Sequence, residues 1–304
     1  MKPKTPWANP RAPDRTTDSA PQTTADRTTD SAADMISTDA SGPTAKAGAH
    51  PAVAVRDLWF RYDGSTAAVL QGLTTSVTPR AVTAILGPNG VGKTTLLNLL
   101  LGWLRPTHGE VHIFGRPLGQ LSRREMGQSL SLLPQEEHIP FEYSVEEYVL
   151  LGRTPYLSPL AAPSTADREI ARTSLARVGL EEHIHTPVTE ISGGERQLVM
   201  LARSLTQQPQ ILLMDEPTSH LDLSNKRRLA NLVRSLTTDG TTVIFTTHDP
   251  EFAAVCADKL LLVRDGTLLA HGSIRDTMTA PLLSRLFGLS LSVTLVGGSP
   301  VVRW

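Results

Sequence analysis

The chain has 304 residues, of which 40% are hydrophobic and 19% charged, and its formal net charge is −1. Such proportions fit one large or two small globular domains, and nothing in the even charge balance points to nucleic acid or an anionic membrane surface as a partner. A single cysteine, Cys256, excludes an internal disulfide framework and a cysteine-rich zinc site; it reads as a small buried apolar residue.

Residues 1 to about 50 are rich in Thr, Asp, Ser, Ala and Pro, a composition that cannot bury enough surface to offset chain entropy, and a disordered tail is expected there. Within it Asp14-Arg-Thr-Thr-Asp-Ser-Ala20 recurs as Asp26-Arg-Thr-Thr-Asp-Ser-Ala32, too short and too polar a repeat to stack as a solenoid. No apolar segment follows Lys2 and Lys4, so no secretory signal is expected. The richest apolar run, Leu96 to Leu104, is broken by Asn98 and Gly102 and falls short of the ~18 to 20 residues that cross a bilayer. Any transport role would need the membrane path of another chain.

Folded sequence is expected from Ala52. Val53, Val55, Leu58 and Phe60 predict a strand, Asp63-Gly64 a turn, and Ala68 to Val77 a second strand. Ala81 to Leu86 is an apolar run ending at glycine, as a buried strand should. There follow Gly87, Pro88, Asn89, Gly90, Val91, Gly92, Lys93 and Thr94, the spacing of a phosphate-binding loop. Glycines let backbone N–H groups converge on phosphate oxygens, the helix that begins at Lys93 adds its positive end, Lys93 supplies a point charge and Thr94 a hydroxyl for Mg²⁺. Several helices are predicted over residues ~142 to ~205, with strands at Gln210–Met214, Thr242–Thr246 and Lys259–Val263. Helices interleaved with apolar strands imply an α/β fold with a mostly parallel sheet. The strand Ile211 to Met214 delivers Asp215 and Glu216; Asp215 suits Mg²⁺ through its water shell, and Glu216 suits a general base for the attacking water.

Ile191, Ser192, Gly193, Gly194, Glu195, Arg196 and Gln197 resemble the signature sequence of the ATP-binding-cassette ATPases. Ser192 with Glu195 is also a helix capping box, but a cap has no need of the paired glycines. Further landmarks resemble that family in the same order. Tyr62 is similar to the aromatic that stacks on adenine, Gln135 to the glutamine that senses Mg²⁺ and nucleotide, Ser219 to Asp222 to the loop crossing the dimer interface, and His248 to the switch histidine on the γ-phosphate. Two departures stand out: Ile191 opens the signature where leucine is commoner, and Pro79-Arg80-Ala81 replaces the usual Gly-Glu turn.

The resemblance implies a phosphate-loop NTPase core carrying an antiparallel β subdomain and an inserted helical subdomain at about 136–205, all within an ATPase domain over 51–270, followed by a C-terminal extension over 271–304. Past Asp265-Gly266 the family pattern fades, and Thr277 to Leu289 reads as a helix and Ser290 to Val296 as a strand. It implies ATP and Mg²⁺ as ligands, with Lys93, Gln135, Glu216 and His248 in catalysis. Tyr62, residues 87 to 94, Thr95, Gln135, Asp215 and the signature residues Ser192 to Glu195 would bind nucleotide, and Thr94, Gln135 and Asp215 the metal. Because such sites are completed by a second copy, a homodimer is expected. It would work with two transmembrane permease subunits, indirectly with an extracytoplasmic binding protein, on the cytoplasmic side of the cell membrane and without nucleic acid. Thr218 to Asp222 and Leu151-Gly-Arg-Thr-Pro-Tyr156 resemble importers of iron-siderophores, haem and vitamin B12, and the region from Pro140 to Tyr156 would receive the permease's coupling helices. The competing class, soluble cassette ATPases on ribosomes or DNA, carries two cassettes, long coiled coils or zinc cysteines. This chain has one cassette, few residues between 94 and 191, and one cysteine.

Overall fold

A computed structural model of the protein describes residues 50–139, 141–219 and 221–303. The expected N-terminal tail with its repeat lies outside them, His50 apart. In chain order the elements are β1 (Val53–Phe60), β2 (Leu70–Val77), β3 (Val82–Leu86), α1 (Lys93–Leu100), β4 (His108–Ile113), β5 (Arg116–Pro117), α2 (Arg123–Ser129), β6 (Leu130–Leu133), α3 (Val145–Leu150), α4 (Thr165–Val178), α5 (Gly193–Thr206) and β7 (Ile211–Met214). Then follow α6 (Leu223–Thr238), β8 (Thr242–Thr247), α7 (Pro250–Cys256), β9 (Lys259–Arg264), β10 (Thr267–Ser273), α8 (Ile274–Thr277), α9 (Ala280–Phe287), β11 (Ser292–Val296) and β12 (Ser299–Arg303).

Six strands form the central sheet in the order β10-β9-β3-β8-β7-β6, with β9, β3, β8, β7 and β6 mutually parallel and β10 antiparallel on the edge. The parallel strands are apolar because both faces are covered. Val82, Ala84 and Leu86 of β3 join one cluster with α3 to α7 and α9, while Ile85 faces a second cluster built from α1 and the antiparallel sheet β2-β1-β4-β5. Strand alternation therefore assigns each side chain of β3, β7 and β8 to one core or the other. Residues 144–206 form the helical region, where α3 and α4 pack on α5.

Four helices, α2 to α5, open with the same device. Ser122, Ser144, Ser164 and Ser192 each accept a hydrogen bond from the N–H three residues on, and the carboxylates of Glu125, Glu147, Asp167 and Glu195 in turn accept one from the serine N–H. The segment Leu151–Tyr156 is a 3₁₀ turn pinned by its own residues. A Cβ on Gly152 would stand 2.3 Å from the Arg203 carbonyl oxygen. Arg153 is buried, donates to Asp167 at 2.8 Å, to the Thr206 carbonyl at 3.1 Å and to Gln208 Oε1 at 3.0 Å, and stacks on Tyr156.

The C-terminal end differs from expectation. One helix over Thr277 to Leu289 is predicted; the chain instead breaks at Met278 and Thr279, and Pro281 restarts it as α9. The predicted strand Ser290–Val296 is β11, one half of a hairpin whose other half, β12, packs against α7 and buries Val302.

Hydrogen bonds from the Ser164 side chain, reinforced by Arg153, hold the Asp167 carboxyl down to about 2, and those from the Ser122 backbone and side chain do the same for Glu125. A depressed folded-state value stabilises the protein above the ordinary carboxylate range, and that contribution fades as pH falls from ~4 toward ~2. An Asp167→Asn variant should therefore melt below wild type at pH 7, and the gap should close across that acid window when followed by circular dichroism.

Candidate active site

The phosphate loop leaves the sheet at the end of β3 and enters α1. Gly90 and Gly92 take φ of 80° and 99°, left-handed backbone that glycine adopts without strain. Gly87 is needed for room: a Cβ there would stand 2.3 Å from the Val263 carbonyl oxygen at the end of β9. Lys93, the first residue of α1, is buried. Its ammonium donates to the carbonyls of Gly87 (2.8 Å) and Pro88 (3.0 Å) and lies 3.2 Å from Glu216 Oε1. Oε1 has no donor in hydrogen-bonding geometry among the described residues. The Lys93–Glu216 contact is thus a charge contact, with lysine protons directed at the loop.

The parallel sheet brings the other groups to the same edge, because Asp215 and Glu216 follow β7, His248 follows β8 and Gln135 follows β6. Thr94 donates to Asp215 Oδ2 at 2.7 Å. Thr246, near the end of β8, donates to Asp215 Oδ1 and accepts the Glu216 N–H at 2.9 Å. Glu216 itself has φ 45°, an uncommon conformation for a side chain of its size and one that collects at functional sites. Its Oε2 shares a hydrogen bond of 2.9 Å with His248 Nδ1. A continuous line thus runs from Lys93 through Glu216 to His248, and a second from Thr94 through Asp215 to Thr246.

Tyr62 is half exposed, stands edge-on to Phe60 with ring centroids 4.8 Å apart, and shares a hydrogen bond of 3.1 Å with Thr95 at the start of α1. That places its ring beside the phosphate loop. Gln135 is exposed, two residues beyond β6. The loop it begins is tied down by Glu137, which accepts from Tyr148 OH (2.9 Å, α3) and from Arg203 (2.7 Å, α5). The signature residues stand apart from this cluster. Ser192 and Glu195 bond to each other and Glu195 pairs with His183 at 3.6 Å; no hydrogen bond or ion pair among the described residues joins them to the phosphate loop. Hydrogen bonds from the Ser192 side chain and backbone hold the Glu195 carboxyl below its usual range. Ser219 and Asp222 flank the segment at His220, which lies outside the described residues, and Asp222 caps α6 by accepting the Asn225 N–H at 2.8 Å. Pro140 also lies outside them. Cys256 is buried, and loss of solvation pushes its thiol up to about 12.

Thr246 and the Val263 carbonyl are the contributors that sequence reasoning missed. The signal for Thr246 is shared with its neighbour: two hydroxyls, Thr246 and Thr247, close a buried strand immediately before His248. A backbone carbonyl from β9 carries no sequence signal. Together the groups suit a nucleoside triphosphate with a divalent cation. They offer a cradle without side chains, a buried ammonium, a hydroxyl–carboxylate pair of hard oxygen ligands and a buried carboxylate oxygen that accepts no hydrogen bond. Gly87→Ala should raise the Kd for ATP at least ~10-fold, a cost of ~1.4 kcal/mol, because β3 and β9 must part to admit the methyl; fluorescence titration of a nucleotide analogue would measure it.

The family model for ABC transporters matches residues 70–219. Hemin import ATP-binding protein HmuV of Burkholderia lata is 38% identical over 256 residues, spanning 77% of this chain and 93% of that protein. The manganese transport system ATP-binding protein MntA of Synechocystis is 33% identical over 222 residues, spanning 72% and 84%. Among solved structures, an inward-facing conformation of a transporter described as of metal-chelate ABC type superposes with a TM-score of 0.73 at 32% identity, covering 84% of this chain and 96% of that one. On these grounds the chain belongs to the ABC transporter family, as one of its ATP-binding, ATP-hydrolysing subunits.

Proposed function

We propose that the protein is the motor of an importer for haem or a related iron chelate, and that two copies act on the cytoplasmic side of the cell membrane beneath two permease subunits. The observation that carries the catalytic part of this reading is the line from buried Lys93 and Glu216 to the exposed His248, joined at the sheet edge to Thr94 and Asp215. The importer and its cargo rest on the named relatives, HmuV foremost. No helix among the described residues is long and apolar enough to cross a membrane, which fits a subunit that reaches the bilayer through partners.

In this reading the N–H groups of Asn89 to Thr94 cradle the phosphates, that of Gly87 being held by the Thr247 carbonyl, and Lys93 turns its ammonium from the loop carbonyls toward the terminal phosphate oxygens. Tyr62 and Thr95 flank the nucleotide at the other end of the loop. Thr94, Asp215 and Gln135 would hold Mg²⁺, whose positive charge offsets the charge developing on the phosphate oxygens. Glu216 accepts the proton of the water that attacks the γ-phosphorus as the bond to the leaving ADP oxygen breaks. His248 keeps the Glu216 carboxylate aimed, and its remaining ring nitrogen is free to meet the γ-phosphate.

Ser192, Gly193 and Gly194 bond only locally among the described residues, so a second copy is the natural donor of these groups across the nucleotide. ATP would then hold two copies together with isologous contacts, and loss of the γ-phosphate would release them, the difference in binding driving the transport cycle. The cargo is selected by the binding protein and permease, and of these only the permease would reach this subunit, through the helical region.

Glu216→Gln should lower ATP turnover at least ~100-fold, the lower range for losing a general base, while ATP accumulates a stable dimer on size-exclusion chromatography with light scattering. Turnover that survives this change would remove Glu216 from catalysis. In proteoliposomes with a co-purifying permease, ATP-driven uptake of haemin supports the cargo assignment, whereas uptake of Mn²⁺ alone overturns it.

A further inference from the structure

Thr246 has no role in the reading above, yet its hydroxyl is bonded to both carboxylate residues at the end of β7, and no other side chain among the described residues does this. The residue has no exposed surface. The direction of its bonds is fixed by elimination. The Glu216 N–H can only donate, so the hydroxyl oxygen accepts there, and its single proton goes to Asp215 Oδ1. Asp215 thereby has each oxygen held by a different hydroxyl, Oδ1 by Thr246 and Oδ2 by Thr94. A metal that draws Thr94 away leaves Thr246 as the group that keeps the carboxylate plane in place. The same oxygen anchors the N–H of Glu216, whose left-handed φ of 45° costs energy that neighbouring contacts must offset.

Burial by itself would favour one bond to such a residue, since buried hydroxyls need partners. The neighbouring strand argues against that being all. Thr83 of β3 is buried to a similar degree and its hydroxyl has no partner among the described residues. This sheet therefore tolerates a buried threonine without bonding it, and burial does not account for the two hydrogen bonds of Thr246. We infer that Thr246 is a positioning residue for ATP hydrolysis: its hydroxyl sets the orientation of the Asp215 carboxylate for Mg²⁺ and the backbone of Glu216 for the attacking water. That role rests on those proposed for Asp215 and Glu216.

The test uses the full chain with Thr246→Val, Thr246→Ser and Thr83→Val, and measures ATP affinity in Mg²⁺ and in EDTA alongside turnover. Removing a hydrogen bond to a charged group is worth roughly a 10- to 100-fold effect. Thr246→Val should lose about that factor in kcat, with KM for MgATP rising only as far as the Mg²⁺-dependent part of the affinity is lost. Its Mg²⁺-dependent gain in ATP affinity should fall, while affinity in EDTA stays at the wild-type value. Thr246→Ser keeps the hydroxyl and should recover most of both, and Thr83→Val should match wild type or melt higher. If Thr246→Val does not fold, Thr246→Ala against Thr246→Ser carries the same comparison. Wild-type Mg²⁺ dependence in Thr246→Val, or a serine variant as impaired as valine, overturns the inference. Asp215→Asn and Glu216→Gln run in parallel separate the two levels. If they too leave Mg²⁺ dependence and turnover intact, the assignment of the site itself fails; if they abolish both while Thr246→Val does not, only the positioning role falls.

Discussion

Parallel pairing of β3, β8, β7 and β6 is the constraint on which the site depends. Neighbouring strands stand about 4.8 Å apart and in parallel sheets all end on the same side, so residues just past the strand ends meet whatever their distance along the chain. Thr94 and Asp215 are 121 positions apart and share a hydrogen bond of 2.7 Å. Antiparallel pairing of any one of these strands would send its polar residue to the opposite edge. The apolar content of the strands and the polarity of the site thus have one origin. Both faces of the sheet are buried under helices or the antiparallel sheet, which leaves the strand ends as the place where charge can gather.

The antiparallel sheet and the helical region play different parts around that edge. The first supplies Tyr62, braced by Phe60 and bonded to Thr95. The second is tied to the loop after β6 by Glu137, which Tyr148 and Arg203 hold from two helices. Leu151–Tyr156, one of the stretches that resembles a cargo class, has a packing role sufficient to account for its residues: Gly152 lets the turn meet α5 and Arg153 satisfies the end of that helix. Its likeness to importers of iron chelates is therefore in part a likeness of fold.

The strands β3, β7, β8 and β9 were legible within one or two residues, because a short run dominated by apolar residues, broken only by threonines, is what a strand buried on both faces requires. The second strand starts at Leu70 and not at Ala68. The hairpin β11–β12 was half legible, since Pro300 inside its second strand argues against a strand. At the site, Gly87 to Thr94 and the Asp215–Glu216 pair could be read from residue types and spacing. Tyr62, Gln135 and His248 could not; alone, each is an ordinary aromatic, amide or imidazole, and only their order along a familiar pattern picked them out. The Ile191 departure is a buried side chain in the larger core, where one branched aliphatic replaces another. In the altered turn, Arg80 adopts φ 56° and its N–H donates to Thr242 at 3.0 Å, so that corner is bonded without the usual residues.

The left-handed backbone at Glu216 sets stability against activity at a single position. An asparagine or glycine there would relieve conformational strain and remove a buried carboxylate from beside Lys93, so selection for a sturdier fold alone would favour losing the group that activates water. That the costly residue stands there is what a threshold view of protein stability expects at a working site. It also makes glutamine the informative replacement: Gln bears the same backbone strain as Glu, so a difference between the two reports on the carboxylate and not on the turn that carries it.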